Sequence, residues 1–265
     1  MSVYKNDKPT DFLVALQSVI HQTLLPSEIV LVVDGPIGEG LESVISDVSK
    51  KYSFLKVIRF KENQGHAGAR QAGLINASNE IIAIMDSDDI ALPDRFEKQI
   101  NYLTENPDID IVGGQIAEFI DVPDKIVGKR IVPLDDATIK SYLRSRCPMN
   151  LVTIMARKSA IHKVGGYIDW YCEEDYYLWI RMVLAGCKFA NLPDDLVNVR
   201  VGKEMYSRRG GWKYFKSEAK LQGYMFTHKL ISLPRYVYNV GVRFIVQTLL
   251  PNSIRGWVFR TFARK

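Results

Sequence analysis

The apolar positions of the chain recur with two periods. Phe12, Leu13, Leu16, Val19 and Ile20 follow three- and four-residue spacing, which predicts a helix capped by Thr10 or Asp11. Residues 29–33, Ile-Val-Leu-Val-Val, form the unbroken β-branched run of a strand buried on both faces, and it stops at the turn Asp34-Gly35-Pro36. Leu41, Val44, Ile45 and Val48 return to helical spacing. Residues 55–60 read as a strand, 63–65 as a turn and 66–77 as a helix of small residues. Residues 81–85 are a second buried strand, ending at Asp86. Pro93 suits the first turn of a helix carrying Phe96, Ile100 and Leu103, and 109–112 form a further strand. Repeated β-α-β units predict an α/β domain with a largely parallel sheet, whose ligands sit beyond the carboxyl ends of the strands. Asp34 and Asp86 both stand at such ends.

The second half is less regular. Strands are expected over 116–120, 126–132 and 151–155, and a helix over 174–185 with Tyr176, Trp179, Ile180 and Val183 on one face. Trp179 reads as core. From about residue 211 the pattern is helical, basic and aromatic.

Composition narrows the class. With 265 residues, 47% of them hydrophobic, the chain can bury a sizeable core and is not a disordered segment. Cys147, Cys172 and Cys187 lack metal or disulfide-framework spacing, and the four histidines are scattered. No signal peptide pattern opens the sequence, so a cytoplasmic location is expected. Charge is uneven. Residues 1–199 hold 21 Lys and Arg against 28 Asp and Glu, whereas 200–265 hold 14 against 2. A basic end on an acidic body suits phosphates or an anionic membrane face; no nucleic-acid module accompanies it.

Candidate chemistry concentrates in two places. In Met85-Asp86-Ser87-Asp88-Asp89, three carboxylates within four residues repel one another unless a cation or strong donors intervene. Asp86 and Asp88 can share one hard ion, Mg²⁺ or Mn²⁺, that keeps open positions for phosphates. The alternative is a solvated loop with Ser87 or Asp89 capping the next helix. The second place is Cys172-Glu173-Glu174-Asp175, at the start of an amphipathic helix. There the acids either complement the helix dipole or supply a general base.

The order of these pieces resembles glycosyltransferase family 2, which has the GT-A fold. The resemblance rests on Ser2-Val3-Tyr4-Lys5-Asn6, Ser18-Val19-Ile20-His21-Gln22-Thr23, residues 29–35, and Asn63-Gln64-Gly65-His66-Ala67-Gly68-Ala69-Arg70-Gln71-Ala72-Gly73. It continues in residues 85–89 with Pro93-Asp94-Arg95, and in Glu174-Asp175-Tyr176-Tyr177-Leu178-Trp179-Ile180-Arg181. The sequence is most similar to bacterial enzymes that build O-antigen or exopolysaccharide repeat units on a lipid carrier. In the family an apolar strand precedes the Ser-Val-Tyr segment; here only Met1 stands before it.

The resemblance implies an inverting, metal-dependent transfer of a hexose, glucose or galactose, from a UDP-sugar to a sugar on an undecaprenyl diphosphate-type lipid. Val3, Tyr4, Asp34, Arg70, Asp86 and Ser87 would bind the nucleotide sugar, with Asp34 accepting from a base N–H. Asp34 equally suits a plain turn before Gly35-Pro36. Asp86 and Asp88 would hold the Mn²⁺ or Mg²⁺ ion. Asp175 would be the general base with Glu174 beside it. Trp170, Tyr171, Arg208 and Arg209 would meet the acceptor or a diphosphate. The family often carries a metal-ligating His after this loop, and none is found here. A GT-A domain over residues 1–205 is expected, with a nucleotide-sugar half to about 115 and an acceptor half beyond it. Residues 206–265 would be a basic amphipathic helical region lying on the inner face of the cell membrane, with Trp257, Val258, Phe259 and Phe262 among Arg255, Arg260, Arg264 and Lys265. A helical lobe packed on the body is the competing reading of that region. Residues 236–250 are too short and too interrupted, by Asn239 and Arg243, to span a bilayer. Two rivals stand beside the transferase: a nucleotidyltransferase, whose Gly-rich basic signature is missing from the first strand, and a non-catalytic membrane-bound scaffold.

Overall fold

The computed structural model describes residues 1–202 and 210–251. Strands β1 (Ser2–Val3), β2 (Ile29–Val33) and β3 (Leu55–Arg59) pair in parallel in that order. Helices α1 (Pro9–Ile20) and α2 (Glu39–Lys51) make the crossovers. All five residues of β2 are buried, as an aliphatic run covered on both faces must be. Helix α1 starts before Thr10. Pro9 brings a pre-set φ to its first turn, Lys8 is the cap, and Asp11 lies in the first turn, where the dipole favours it.

Helix α3 (Gly65–Asn76) leads to β4 (Ile81–Ala83), which opens a second sheet. It is followed by β5 (Ile90–Ala91), α4 (Arg95–Glu105), β6 (Ile111–Phe119), β7 (Ile126–Arg130), α5 (Asp136–Leu143), β8 (Met155–Arg157), α6 (Lys158–Lys163), α7 (Glu174–Leu184) and β9 (Phe189–Arg200). The order is β4-β8-β6-β9-β5, with β7 paired to β6. Only β6 and β9 are parallel. The α/β architecture is the one expected, but parallel pairing dominates only its first three strands. Short links such as residues 120–125 cannot return a chain for parallel pairing.

Several boundaries move. The strands expected over 109–112 and 116–120 are one strand, β6, which runs through Gly113 and Gly114 with all nine residues buried. The run 151–155 divides into a 3₁₀ turn, Leu151–Thr153, and the start of β8. Thr153 closes that turn, its Oγ1 donating to the Asn150 carbonyl at 2.7 Å. Pro93 lies just outside α4, which Asp94 caps.

Two hydrophobic clusters hold the molecule. One joins β2, α1, α2 and α4 around Phe12, Leu16, Leu31 and Phe96. The other surrounds α7, with Trp179 fully buried beside Tyr176, Ile161 and Phe189. Helix α8 (Trp212–Thr227) adds Leu221 and Met225 to this second cluster. Helix α9 (Leu233–Phe244), continued by a π-helical turn (Ile245–Leu249), lies on it with its polar side inward. Buried Asn239 donates to the Arg144 carbonyl at 2.9 Å and to Gln222 at 2.7 Å, and Arg243 pairs with Glu218. Leu233, Val237, Tyr238 and Val242 are exposed.

Candidate active site

Three loops converge beyond the carboxyl ends of β1, β2 and β4, where strand-end geometry leaves side chains free for chemistry. The loop after β2 begins with Asp34. Its carboxylate accepts from Gln64 N at 2.6 Å, Gly65 N at 3.0 Å and Asn63 Nδ2 at 2.9 Å. Asp34 therefore anchors the start of α3 across the loop, which is a stronger attachment than the turn role that its neighbours Gly35 and Pro36 suggest. Gly35 is required for this: it sits at φ +88°, and a Cβ there would lie 2.8 Å from Asn63 N.

The acidic loop leaves β4 past Met85. Buried Arg95 holds that exit, with Nη2 donating to the Ile84 carbonyl at 2.8 Å and the Ile154 carbonyl at 3.3 Å. Burial pushes its guanidinium down to about 9. Ser87 Oγ donates to Asp7 Oδ2 at 2.9 Å, and Asp7 also accepts from Tyr4 N at 3.0 Å, so the loop after buried Val3 is tied to the acidic loop. Burial, reinforced by Asp86 and Asp7, pushes the Asp88 carboxyl up to about 6. Burial with Asp88 and Asp86 raises Asp89 as well, although its Oδ1 accepts the Arg200 N–H at 2.8 Å. Arg200 is the last residue of β9. Its side chain reaches the Asp88 carbonyl at 3.2 Å and Asp11 at 3.3 Å.

Arg70, one turn into α3, connects the two candidate acidic sites. Nη1 meets Glu174 Oε1 at 2.5 Å and Nη2 meets Asp86 Oδ1 at 3.3 Å. Burial pulls its pKa down, but the charges of Asp86 and Glu174 outweigh that and raise it. The neighbouring Asp175 makes no such pairing. Its Oδ1 accepts Tyr176 N at 2.7 Å, and its Oδ2 faces the Cys147 thiol at 4.0 Å. Burial, then the charge on Glu174, raise its carboxyl. Tyr167 completes the cluster. Its buried hydroxyl finds no protein partner among the described residues, and the charges of Arg70, Asp175, Asp86 and Glu174 act on it.

The structure thus brings Arg70, Asp86, Glu174 and Asp175 together, and joins Ser87 and Asp88 to the loop after Val3 and Tyr4. Trp170 is placed differently from a sugar platform. Its ring packs 4.4 Å from Tyr177, and its N–H donates to the Ser217 carbonyl at 3.2 Å. Tyr171 is exposed, with Lys213 Nζ 3.9 Å over its ring. Arg208, Arg209 and the aromatic residues 257–262 lie outside the described residues. Asp7 and Tyr167 are not legible as site residues. Asp7 follows a strand end and so obeys the rule that singles out Asp34 and Asp86. Glu173, the first acid of the second cluster, accepts the Tyr214 hydroxyl of α8 at 2.7 Å.

The donor chemistry suits a hard divalent ion: oxygens only, crowded enough to raise Asp88. Among the described residues no three His, Cys, Asp or Glu side chains are grouped to hold one.

The family model Glycosyl transferase family 2 matches residues 2–165. An uncharacterized glycosyltransferase of Haemophilus influenzae is 38% identical over 265 residues, covering 100% of this chain and 98% of its own. A UDP-Gal:alpha-D-GlcNAc-diphosphoundecaprenol beta-1,3-galactosyltransferase of Escherichia coli is 35% identical, covering 100% of this chain and 95% of its own. Among solved structures, the mannosyltransferase PcManGT of Pyrobaculum calidifontis, in complex with GDP-Man and Mn²⁺, superposes with TM-score 0.65 at 15% identity, over 96% of this chain and 70% of that one. That likeness shows the GT-A fold. With the family match spanning residues 2–165, from β1 through α6, and relatives alike over 95% or more of their own length, the chain belongs to glycosyltransferase family 2.

Proposed function

We propose that the protein transfers a hexose, galactose or glucose, from a UDP-sugar to a sugar carried on an undecaprenyl diphosphate-type lipid, with inversion at the anomeric carbon. The supporting observation is the double contact of Arg70, which holds the acidic loop beside the carboxylates of α7 through Asp86 and Glu174 and forms no salt bridge with Asp175. Two adjacent acids thereby take two roles. Glu174 fixes Arg70, and Asp175, its carboxyl raised by burial, serves as the base. Asp175 takes the proton of the attacking hydroxyl as that oxygen bonds to the anomeric carbon. The bond to the diphosphate breaks on the opposite face, and the leaving group keeps the electron pair. One displacement inverts the centre and needs no covalent sugar–enzyme intermediate.

Arg70 offers a planar fork of donors to the diphosphate. Asp34 retains lone-pair capacity for a base N–H, beside Val3 and Tyr4. Asp86 and Asp88 would hold Mg²⁺ or Mn²⁺, which supplies Lewis-acid stabilisation of the departing diphosphate. Exposed Tyr171 is the acceptor-side aromatic. The lipid-linked acceptor is supported by the substrate named for the E. coli relative. It is also supported by α9, whose outward apolar face and basic surroundings suit the anionic inner leaflet.

Asp175→Asn tests the reading. Transfer of labelled sugar should fall at least about 100-fold while UDP-sugar still stabilises the protein against heat. An unchanged rate removes Asp175 from the reaction.

A further inference from the structure

Helix α8 carries Lys213, Lys216 and Lys220 at three- and four-residue spacing, so all three leave one side of it over a rise of about 10 Å. All three are exposed. Like charges at these spacings repel one another and weaken a helix. No carboxylate relieves that repulsion: among the described residues none of the three forms a salt bridge. The one acid of α8, Glu218, lies on the other side of the helix and pairs with Arg243 of α9.

The lysines are nonetheless held in place. Nζ of Lys213 lies 3.9 Å from the ring centre of Tyr171, Nζ of Lys220 lies 4.6 Å from that of Trp170, and Nζ of Lys216 lies 5.3 Å from that of Trp212. A ring face attracts an ammonium without neutralising it, so three positive charges stay fixed and uncompensated at one surface.

This surface adjoins the proposed base. The Trp170 N–H donates to the Ser217 carbonyl at 3.2 Å, Ser217 Oγ donates to the Tyr171 carbonyl at 2.6 Å, and the Tyr214 hydroxyl donates to Glu173 at 2.7 Å. Helix α8 is thus bonded to the segment that leads into Glu174 and Asp175. On its other side Glu218 and Gln222 meet Arg243 and Asn239 of α9, the helix whose outward apolar face is assigned to the membrane. The order is therefore α9, α8, Asp175. A sugar on a lipid diphosphate has the same order: its chain in the bilayer, its diphosphate at the surface, its reacting hydroxyl beyond.

We infer that Lys213, Lys216 and Lys220 cradle the diphosphate of the lipid-linked acceptor. Ammonium groups are compact point charges suited to phosphate oxygens, and an anionic occupant offsets the repulsion that the three charges impose on α8. The donor's diphosphate is assigned to Arg70 and the acidic loop, so the two diphosphates draw on different cations. The inference rests on the lipid-linked acceptor proposed above and names the side chains that recognise it.

Farnesyl diphosphate, a lipid diphosphate without a sugar, is the probe. Its binding is read without turnover by quenching of tryptophan fluorescence, with UDP in excess to occupy the donor side. Lys213→Gln, Lys216→Gln and Lys220→Gln combined should weaken binding at least about tenfold, and arginine at the same three positions should keep it within about threefold. Lys50→Gln with Lys51→Gln, which removes charge from α2, should leave it unchanged. The inference is overturned if the triple glutamine variant binds farnesyl diphosphate as tightly as the unaltered chain, or if the α2 variant weakens binding equally. It is also overturned if the triple glutamine variant loses phosphatidylglycerol vesicles yet keeps farnesyl diphosphate, which would assign the lysines to lipid headgroups. No sugar is transferred in these assays, so an unchanged transfer rate in Asp175→Asn would count against the reaction and not against the cradle.

Discussion

Arg70 illustrates how one side chain organises a site. A guanidinium presents donors in a rigid fork, so a single residue can hold two carboxylates, one 104 and one 16 positions away from it, at 2.5 and 3.3 Å, which a lysine ammonium cannot copy. Asp88 shows the opposite condition, a carboxyl crowded by like charge and raised to about 6 from an ordinary 3.8. Between those values the folded protein holds a proton that the unfolded chain has lost. This group therefore favours folding at low pH, and its contribution fades as pH rises through about 6. The ionised form is the one that binds a cation. Stabilisation by Mn²⁺ should be small at about pH 5 and grow as pH rises through about 6, read as the Tm difference with and without the ion. An equal difference at both ends of that range would exclude Asp88 as a ligand. At this scale Asp86, Asp88, Glu174 and Asp175 are legible in sequence because acids cluster there against apolar runs. Asp7 and Tyr167 are not, since nothing local distinguishes one loop acid or one tyrosine from many others.

Elements matter through their ends. Helix α3 has no cap of its own at Gln64, and Asp34, thirty residues away, supplies acceptors to its first amides. This long-range cap depends on the left-handed turn at Gly35. Gly35→Ala should cost about 2 kcal/mol in urea unfolding, from the strained φ and the clash with Asn63 N. A loss below about 0.5 kcal/mol would show that the loop relaxes freely. Periodicity locates α3 and α7 to within a residue at each end and leaves α5 and α6 unread. It fails on β6, read as two strands, because Gly113-Gly114 resembles a turn. It fails again at 151–155, where a buried turn and a buried strand carry the same apolar signature.

At the scale of the whole molecule, α9 has its polarity reversed. Asn239 and Arg243, which interrupt the apolar run, are the residues that bind the body, and Leu233, Val237 and Tyr238 are 55–64% exposed. Among the described residues no helix is long and apolar enough to cross a membrane, and the proposed contact is that this face lies along one. Replacing Leu233, Val237 and Tyr238 together by serine should weaken binding to phosphatidylglycerol vesicles about tenfold and leave UDP-sugar binding unchanged, measured by co-sedimentation and thermal shift. Added salt should weaken the binding further. Equal sedimentation of both proteins would remove α9 from the membrane contact.

By itself the sequence determined the α/β class, the strand ends that carry chemistry and the residue types of the acidic sites. Those follow from local rules: period, turn chemistry and charge repulsion act within a few residues. The tertiary structure alone decided that Arg70 joins Asp86 to Glu174, that Trp170 serves packing, that the second sheet is mixed, and that α9 faces outward with its apolar side. These depend on which distant surfaces meet, and contact between residues a hundred positions apart leaves no periodic trace in either segment.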